Sequence, residues 1–421
     1  MAFEATHLPV AGARVSRGML LGALAVLAGA AIASAARPVS MWNATGWLFT
    51  YGQGLRRRAL LGTLADAFTP SALPTFRLVT FLSVLALSGV VVLLLILIRD
   101  ALEVDGALAA LLAGVALLVS PVGLRFLAAD LGRPDHLSYV LMLAGLLLIS
   151  RVGPVTAAAV VAVLGVFGVL VQELFLVAFL PLLLVALLIR VDLGVRRGTA
   201  AGVARVGLFA GALLPALGAA AWVFARGVIA PDEAVARAAE LDALTDIVVL
   251  APAMLVHAHT LTDNVGHVVE AFATQLLGRL LGGVLLPGLL AVGTVAFAVA
   301  ALRRWRTPSL PRWGPPSLRV SAATVVLLAG ASPLLLNVVA IDHGRWWALA
   351  TINVVVGVLW LLALNGRLSP PWPDPATWSP ATVLFAGFVL LLLTLAPTVE
   401  VEFGFVRPAS GEVVRVLSPW P

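Results

Sequence analysis

Long apolar runs alternate with short polar interruptions along the whole chain. The runs occupy 19–36, 78–98, 107–127, 137–149, 155–171, 174–189, 203–224, 280–302, 321–340, 348–364 and 381–396. Each is close to the ~20 residues that a helix needs to cross a bilayer, or somewhat shorter. None shows the period-two alternation of a membrane barrel. Helices are the expected form, because lipid offers no hydrogen-bond partner to a free backbone amide. The pattern predicts an all-α, polytopic integral membrane protein with about eleven transmembrane helices in a single membrane domain over 1–421. Run 19–36 follows Arg14 and Arg17 and has the basic, apolar, small-residue order of a signal peptide. Because the rest of the chain is equally apolar, it reads better as a retained first span.

Two polar stretches are longer than connectors. Residues 37–77 carry Trp42, Trp47, Phe49 and Tyr51 ahead of Arg56-Arg57-Arg58, with Asp66 after them. Aromatic and basic residues together suit a helix lying in the membrane interface. Residues 225–279 form a large extracytoplasmic loop. Its portion 231–246 spaces Ala and Leu as a surface helix would, with Asp232, Glu233, Glu240, Asp242 and Asp246 on the polar side. The Pro-rich stretches 307–316 and 369–380 read as cytoplasmic connectors, and the tail after Pro397 as short extended pieces.

Composition agrees with this reading. The chain is 61% hydrophobic and 11% charged, where soluble domains carry about 25% charged residues. All 27 basic residues are arginine, and there is no cysteine. Disulfides, thiolate metal sites and a thiol nucleophile are thereby excluded. A net charge of +6 spread over loops does not imply nucleic acid. Arginines in short loops place the N-terminus in the cytoplasm, although the split is nearly even and the cluster at 56–58 runs against it. That orientation gathers 56–58, 130–136, Gln172-Glu173, 225–279 and 342–347 on the extracytoplasmic side.

The candidate chemistry lies in those outer segments. The phrase Asp-x-Gly-Arg occurs twice, as Asp130-Leu131-Gly132-Arg133 before Pro134-Asp135-His136, and as Asp342-His343-Gly344-Arg345 before Trp346-Trp347. Three apart on a helix, each acid and arginine would pair, which lowers the cost of charge beside lipid. Two structural ion pairs at helix ends are the plain alternative. The functional reading joins both copies in one site, where arginine forks bind phosphate and the glycines admit a close ligand or backbone. Glu173 interrupts an apolar stretch and is placed at the outer tip of a hairpin. Burial would raise its pKa toward that of a general base. Arg56, Arg57 and Arg58 are either headgroup contacts or a cradle for a lipid-linked diphosphate. His257, His259, Asp263 and His267 lack the spacing of a zinc helix and read as the lining of a groove. No metal site is expected, and a divalent cation is the one cofactor left open. Walker, Gly-x-Ser-x-Gly and His-Glu-x-x-His motifs are absent from the sequence.

Four stretches together resemble the Wzy-type polymerases and the wider GT-C glycosyltransferases of bacterial surface-polysaccharide assembly. They are Gly54-Leu55-Arg56-Arg57-Arg58-Ala59-Leu60-Leu61-Gly62, Asp130 to His136, Gln172-Glu173 through Pro181, and Asp342 to Trp346. The acidic residue such enzymes carry early in the first outer loop is missing before the arginines. The resemblance implies an inner-membrane enzyme that transfers sugar from a polyprenyl-(di)phosphate donor at the outer face. Catalytic candidates are Asp130, Asp135, Glu173 and Asp342. Substrate-binding candidates are Arg56, Arg57, Arg58, Arg133, His136, His343 and Arg345. Partners would be the lipid-linked sugar, membrane lipid and other envelope glycan-assembly proteins, with no nucleic acid. A lipid or oligosaccharide transporter or flippase is the alternative, since charged pairs also mark substrate paths.

Overall fold

The computed structural model describes residues 8–10, 13–15, 17–53, 57–68, 73–102, 107–194, 199–250, 258, 261–304, 312–313, 320–340, 342–366, 380–396, 399–402 and 405–408. The helices run in chain order as α1 (Arg17–Ala35), α2 (Met41–Thr45), α3 (Leu60–Asp66), α4 (Phe76–Ala101), α5 (Ala107–Val119) and α6 (Leu124–Ala129). They continue as α7 (Asp135–Ile149), α8 (Pro154–Val171), α9 (Phe175–Ala178), α10 (Leu180–Gly194), α11 (Thr199–Arg226) and α12 (Pro231–Asp242). The last are α13 (Leu261–Gly278), α14 (Leu286–Arg304), α15 (Ala322–Gly330), α16 (His343–Gly366) and α17 (Pro380–Leu395). Among the described residues, seven helical segments are long and apolar enough to cross a membrane, and three shorter apolar ones accompany them. The chain is a helical, multi-pass membrane protein. Extended structure is confined to three two-stranded antiparallel hairpins among the described residues, one of them Val399–Glu402 with Phe405–Pro408 in the tail.

The bundle is built around α16. Of its membrane-length window, 94% is buried, as expected of a helix that is apolar on every side. It packs against α4, α5, α14 and α15. Lipid gives helices no hydrophobic reason to associate, so close packing and interhelical hydrogen bonds must hold them. Tyr139 Oη donates to Leu349 O at 3.3 Å and Trp360 Nε1 to Leu146 O at 2.9 Å, tying α7 to α16. Asn353 Nδ2 donates to Ala178 O at 2.5 Å and ties α9 to the same helix. At Gly168 the face of the Phe175 ring lies where a Cβ would stand, 2.4 Å from its atoms. The short α9 can therefore fold back onto α8.

Several predicted spans are broken, each for a local reason. The run 107–127 divides at Ser120-Pro121, because a proline disfavours helix in the residue before it and removes a donor. Ser120 Oγ and Thr294 Oγ1 are 2.7 Å apart across the break. The run 321–340 ends as α-helix at Gly330 and continues as a 3₁₀ turn, Ser332–Val338, over Pro333. The run 174–189 divides into the single turn of α9 and the longer α10, which starts at Leu180. The last long span starts at His343 rather than 348, so its charged residues form the first turn of α16. The described residues of 37–77 do not form one interfacial helix. They fold as α2, two 3₁₀ turns and α3, with Trp47, Leu48 and Phe49 buried. Only Pro231–Asp242 of the predicted 231–246 helix is helical, with Ala234, Ala238 and Leu241 as its buried stripe. Asp246 instead accepts from Phe76 N at 2.9 Å, at the start of α4.

Arg125 closes the break on the core side. Its Nη1 donates to Thr394 O at 3.1 Å and Ala396 O at 3.0 Å, at the C-terminal end of α17. Helix C-termini leave carbonyls without partners and carry partial negative charge. Arg125→Met should release that end, at a cost of about 2–3 kcal/mol for hydrogen bonds to a charged donor. Hydrogen–deuterium exchange in detergent should rise over 380–396 and stay level elsewhere. Unchanged protection there would show that Arg125 does not hold α17.

Candidate functional site

Four stretches meet at one end of the bundle: the segment after α1, the turn between α6 and α7, the link between α8 and α9, and the start of α16. The turn Asp130-Leu131-Gly132-Arg133 is not helical. Gly132 has φ +95°, a conformation open to glycine. A Cβ there would stand 2.7 Å from Val39 Cγ1. The space beside Gly132 is thus filled by the protein's own 39–43 segment, not by a ligand. That segment grips the turn. Asn43 Nδ2 donates to Asp130 Oδ1 at 3.1 Å and to Leu131 O at 2.9 Å, and Trp47 Nε1 donates to Gly132 O at 2.8 Å.

The two Asp-x-Gly-Arg copies are cross-linked by charge. Arg133 reaches Asp130 at 2.7 Å within its own copy and Asp342 of the other copy at 3.0 Å. Arg345 lies 3.6 Å from Asp342, but its tighter partner is Asp135, through Nε to Oδ2 at 2.8 Å and Nη2 to Oδ1 at 2.7 Å. Gln172 completes that inner pair. Its Nε2 donates to Asp135 Oδ1 at 2.8 Å and to Ser138 Oγ at 3.0 Å, and its Oε1 accepts from Arg345 Nη2 at 3.4 Å. The planar fork of arginine is what allows the two-point grip on Asp135.

A third pair extends the layer. Arg58 binds Glu173 through Nη2 at 2.6 Å and Nε at 3.2 Å. Arg58 has φ +58°, the left-handed region that a non-glycine residue enters only when its surroundings enforce it. Glu173 sits at the turn after α8, as its place in the sequence predicts, but its electrostatics are the reverse of the expectation. Burial acts first and pushes its carboxyl up. Arg58, with help from Arg57, overrides burial and brings it down to about 2. Asp342 is likewise pulled below the usual carboxylate range, because Arg133 and Arg345 outweigh its burial. Glu173 is therefore an ion-pair partner of Arg58, and its pKa is lowered where the apolar flanks alone would have raised it.

Exposure divides the candidates. Side chains of Arg345 and Asp135 are only 7% and 2% exposed. Asp342 is 21% and Arg58 27% exposed, with Asp130 and Arg133 at 12% each. The more exposed edge of the layer consists of Arg58, Asp342, Arg133 and Asp130. Arg345 and Asp135, expected to grip phosphate and take a proton, are sealed behind it. His136 is buried, with its ring nitrogens 3.0 and 2.8 Å from Arg133 O and Leu127 O, so it supports the turn. His343 is buried against Asn337 Oδ1, at 2.9 Å, and the Phe272 ring of α13, with centroids 5.0 Å apart. Arg57 is buried, its guanidinium 5.0 Å over the Phe224 ring and its amide donating to Gly227 O at 3.3 Å. Arg56, His257 and His259 lie outside the described residues. Among the described residues, no three His, Asp or Glu side chains are grouped to hold a metal ion.

Sequence reasoning did not foresee Asn43, Trp47 or Asn337, nor the part played by Gln172. For Gln172 the signal was present: an amide in the middle of an apolar run needs a polar partner. For Asn43 there was a weaker one, a polar residue three after Ser40, whose Oγ caps α2. Comparison with family models, with characterised proteins and with solved structures finds no match.

Two measurements test this geometry. Asp135→Asn leaves Arg345 charged and buried with only the looser Asp342 beside it, and should destabilise the protein by about 3 kcal/mol in detergent unfolding. A loss below about 1 kcal/mol would show that the pair is solvated. Glu173, depressed from 4.5 to about 2 in the folded protein, should add stability in full above about pH 4.5 and lose it as pH falls toward 2. Glu173→Gln should flatten that part of the acid-unfolding curve.

Proposed function

We propose that the chain is a glycosyltransferase or polysaccharide polymerase that uses a polyprenyl-(di)phosphate-linked sugar at the extracytoplasmic face of a bacterial inner membrane. In this reading its N-terminus is cytoplasmic, it crosses the membrane eleven times, and it works beside other envelope glycan-assembly proteins. The observation that carries the reading is the convergence of both Asp-x-Gly-Arg copies, with Arg58 and Glu173, at one end of a lipid-embedded bundle. Such a layer offers a diphosphate its arginines and an acceptor hydroxyl its carboxylates.

The roles follow from exposure. Arg133 and Arg58 contact the donor's diphosphate. Arginine carries five N–H donors, and the carboxylates hold Nε and Nη1 of Arg133. As the acceptor hydroxyl attacks the anomeric carbon, the bond from that carbon to the phosphate oxygen breaks and its electron pair stays on the diphosphate. The arginines stabilise that growing charge. Asp342, the most exposed carboxylate of the layer, takes the hydroxyl proton. Its exposure, not its pKa, separates it from Glu173, and it takes the proton late, once the forming bond has made the hydroxyl acidic. Arg345 and Asp135 position Asp342 and do not touch substrate.

A transporter or flippase would keep its polar groups near the membrane midplane. Here the charged layer sits at the helix ends, which favours surface chemistry. In purified protein supplied with a lipid-linked donor, Asp342→Asn should lower transfer at least 100-fold with stability little changed. Arg133→Lys should do the same, whereas Arg345→Lys should lose stability as well. In cells, deleting the gene should remove long polymer and accumulate lipid-linked single units. A normal glycan profile would sink the reading and leave transport in front.

A further inference from the structure

Helix α13 sorts its residues by face. At about 100° per residue, Val265, Val268, Val269, Phe272 and Leu276 fall on one side, and Asp263, His267, Glu270 and Thr274 share the opposite one. One edge of the apolar side rests on the protein. Val268 is buried, and Phe272 is half-buried with its ring on His343, centroids 5.0 Å apart. The other edge is uncovered: Val269 is 63% and Leu276 60% exposed, with Val265 exposed between them. The four polar residues are exposed as well.

The path of the chain decides where this helix lies. α13 runs without a gap through a π-helical turn, Arg279–Leu285, into α14, and the membrane-length apolar segment opens at Leu280. Phe272 meets His343, while a Cβ on Gly288 would stand 3.4 Å from Cζ2 of Trp347. On a straight helix Phe272 and Gly288 would be about 24 Å apart, whereas the residues they meet on α16 are about 6 Å apart along its axis. The helical path therefore bends between them. A π turn is one cause of such a bend. Pro287 is another, since it lacks the N–H that a straight helix would direct to Gly283. α13 consequently lies across the end of the bundle, level with the first turn of α16.

We propose that α13 is an interfacial helix, with Val265, Val269 and Leu276 sunk in the acyl boundary of the leaflet at that end, and Asp263, His267, Glu270 and Thr274 turned to headgroups and water. Continuity chooses the bilayer as the occupant. Leu280, Leu281, Leu285, Leu289 and Val292 are exposed on a segment that crosses the membrane, so they face lipid. The uncovered edge of α13 extends that surface without interruption. Water in its place would leave a row of large apolar side chains bare. A second copy would have to displace lipid from an adjoining face, with no polar group in the edge to reward it. A helix with one apolar and one polar side is the form that lies in an interface. Asp342 adjoins His343, so the exposed edge of the charged layer is set at headgroup depth, where lipid phosphates lie. The placement of α13 holds whatever chemistry that layer performs.

The chain has no cysteine, so single cysteines can carry spin labels in the full-length protein. Val269→Cys and Leu276→Cys on the apolar side, and Glu270→Cys and Thr274→Cys on the polar side, are labelled and placed in nanodiscs of phosphatidylcholine and phosphatidylglycerol. Collisions with oxygen, which partitions into acyl chains, and with a water-soluble nickel chelate read the depth of each label. The ratio of oxygen to nickel collisions should be about tenfold higher at the two apolar positions than at the two polar ones, as for a helix lying in the interface. If one of the apolar variants does not fold, Val265→Cys serves in its place. A fluorophore at the apolar positions should be quenched more by lipid brominated near the head of the acyl chain than by lipid brominated at its end. Equal collision ratios on both sides would overturn the proposal and leave α13 in water. Few collisions with either reagent at the apolar positions, together with dipolar broadening between labels, would overturn it in favour of a second copy. Stronger quenching from the end of the acyl chain would also overturn it, by placing α13 within the bilayer core.

Discussion

The buried pair between Arg345 and Asp135 sets the terms for everything around it. A charge taken out of water beside lipid costs several kcal/mol unless it is matched and hydrogen-bonded. Arg345 opens α16 and Asp135 opens α7, so the two helices must start at the same depth and in fixed rotation. Gln172 adds the end of α8 to that constraint, because its amide donates to Asp135 and accepts from Arg345. Three helix ends are thereby held in register by one satisfied cluster. The apolar contacts of α16 allow many sliding positions. The charged pair allows one.

From that sealed pair the layer grades outward. Asp342 lies near Arg345 and binds Arg133; Arg133 also binds Asp130, which Asn43 holds from the segment after α1. Glu173 and Arg58 form the flank. Three arginines face four carboxylates, so these seven groups alone carry one net negative charge. In the proposed reading, an incoming diphosphate must compete with these carboxylates for the arginines, which weakens its ground-state binding. The strained backbone of Arg58 belongs to the same design: Glu173 holds its side chain while the turn around it is forced to φ +58°.

The membrane class and most helix positions were legible in the apolar rhythm, because length and hydropathy are local properties. The breaks at Pro121 and Pro333 were legible too, had proline been weighed against the apolar runs that contain it. Which acid would meet which arginine was not. The spacing of Asp342 and Arg345 favours a pair within the motif, yet Asp135, 210 positions away, has the better geometry. Such choices depend on how helices are placed, and sequence spacing does not carry that. The pKa of Glu173 failed for the same reason. Burial was visible from the apolar flanks, while Arg58, which reverses its effect, is 115 positions distant. The motif suggests His136 as a substrate contact and Gly132 as a place where a ligand or another backbone comes close, but their neighbours are Leu127 O and the side chain of Val39.

The first turn of α16 carries two opposed duties. Residues 345 and 347 are two apart and so lie about 200° from each other around the helix. Arg345 consequently faces the sealed pair, while Trp347 packs at Gly288 of α14. One rigid turn thus couples the charged layer to α14 without any side chain shared between them. A rotation of α16 by one residue, about 100°, would break the pair with Asp135 and swing Trp347 off Gly288 together. The cost of exposing Arg345 to lipid makes that rotation prohibitive, so the inner ion pair also fixes that packing. A sealed ion pair can in this way determine which way every face of its helix points.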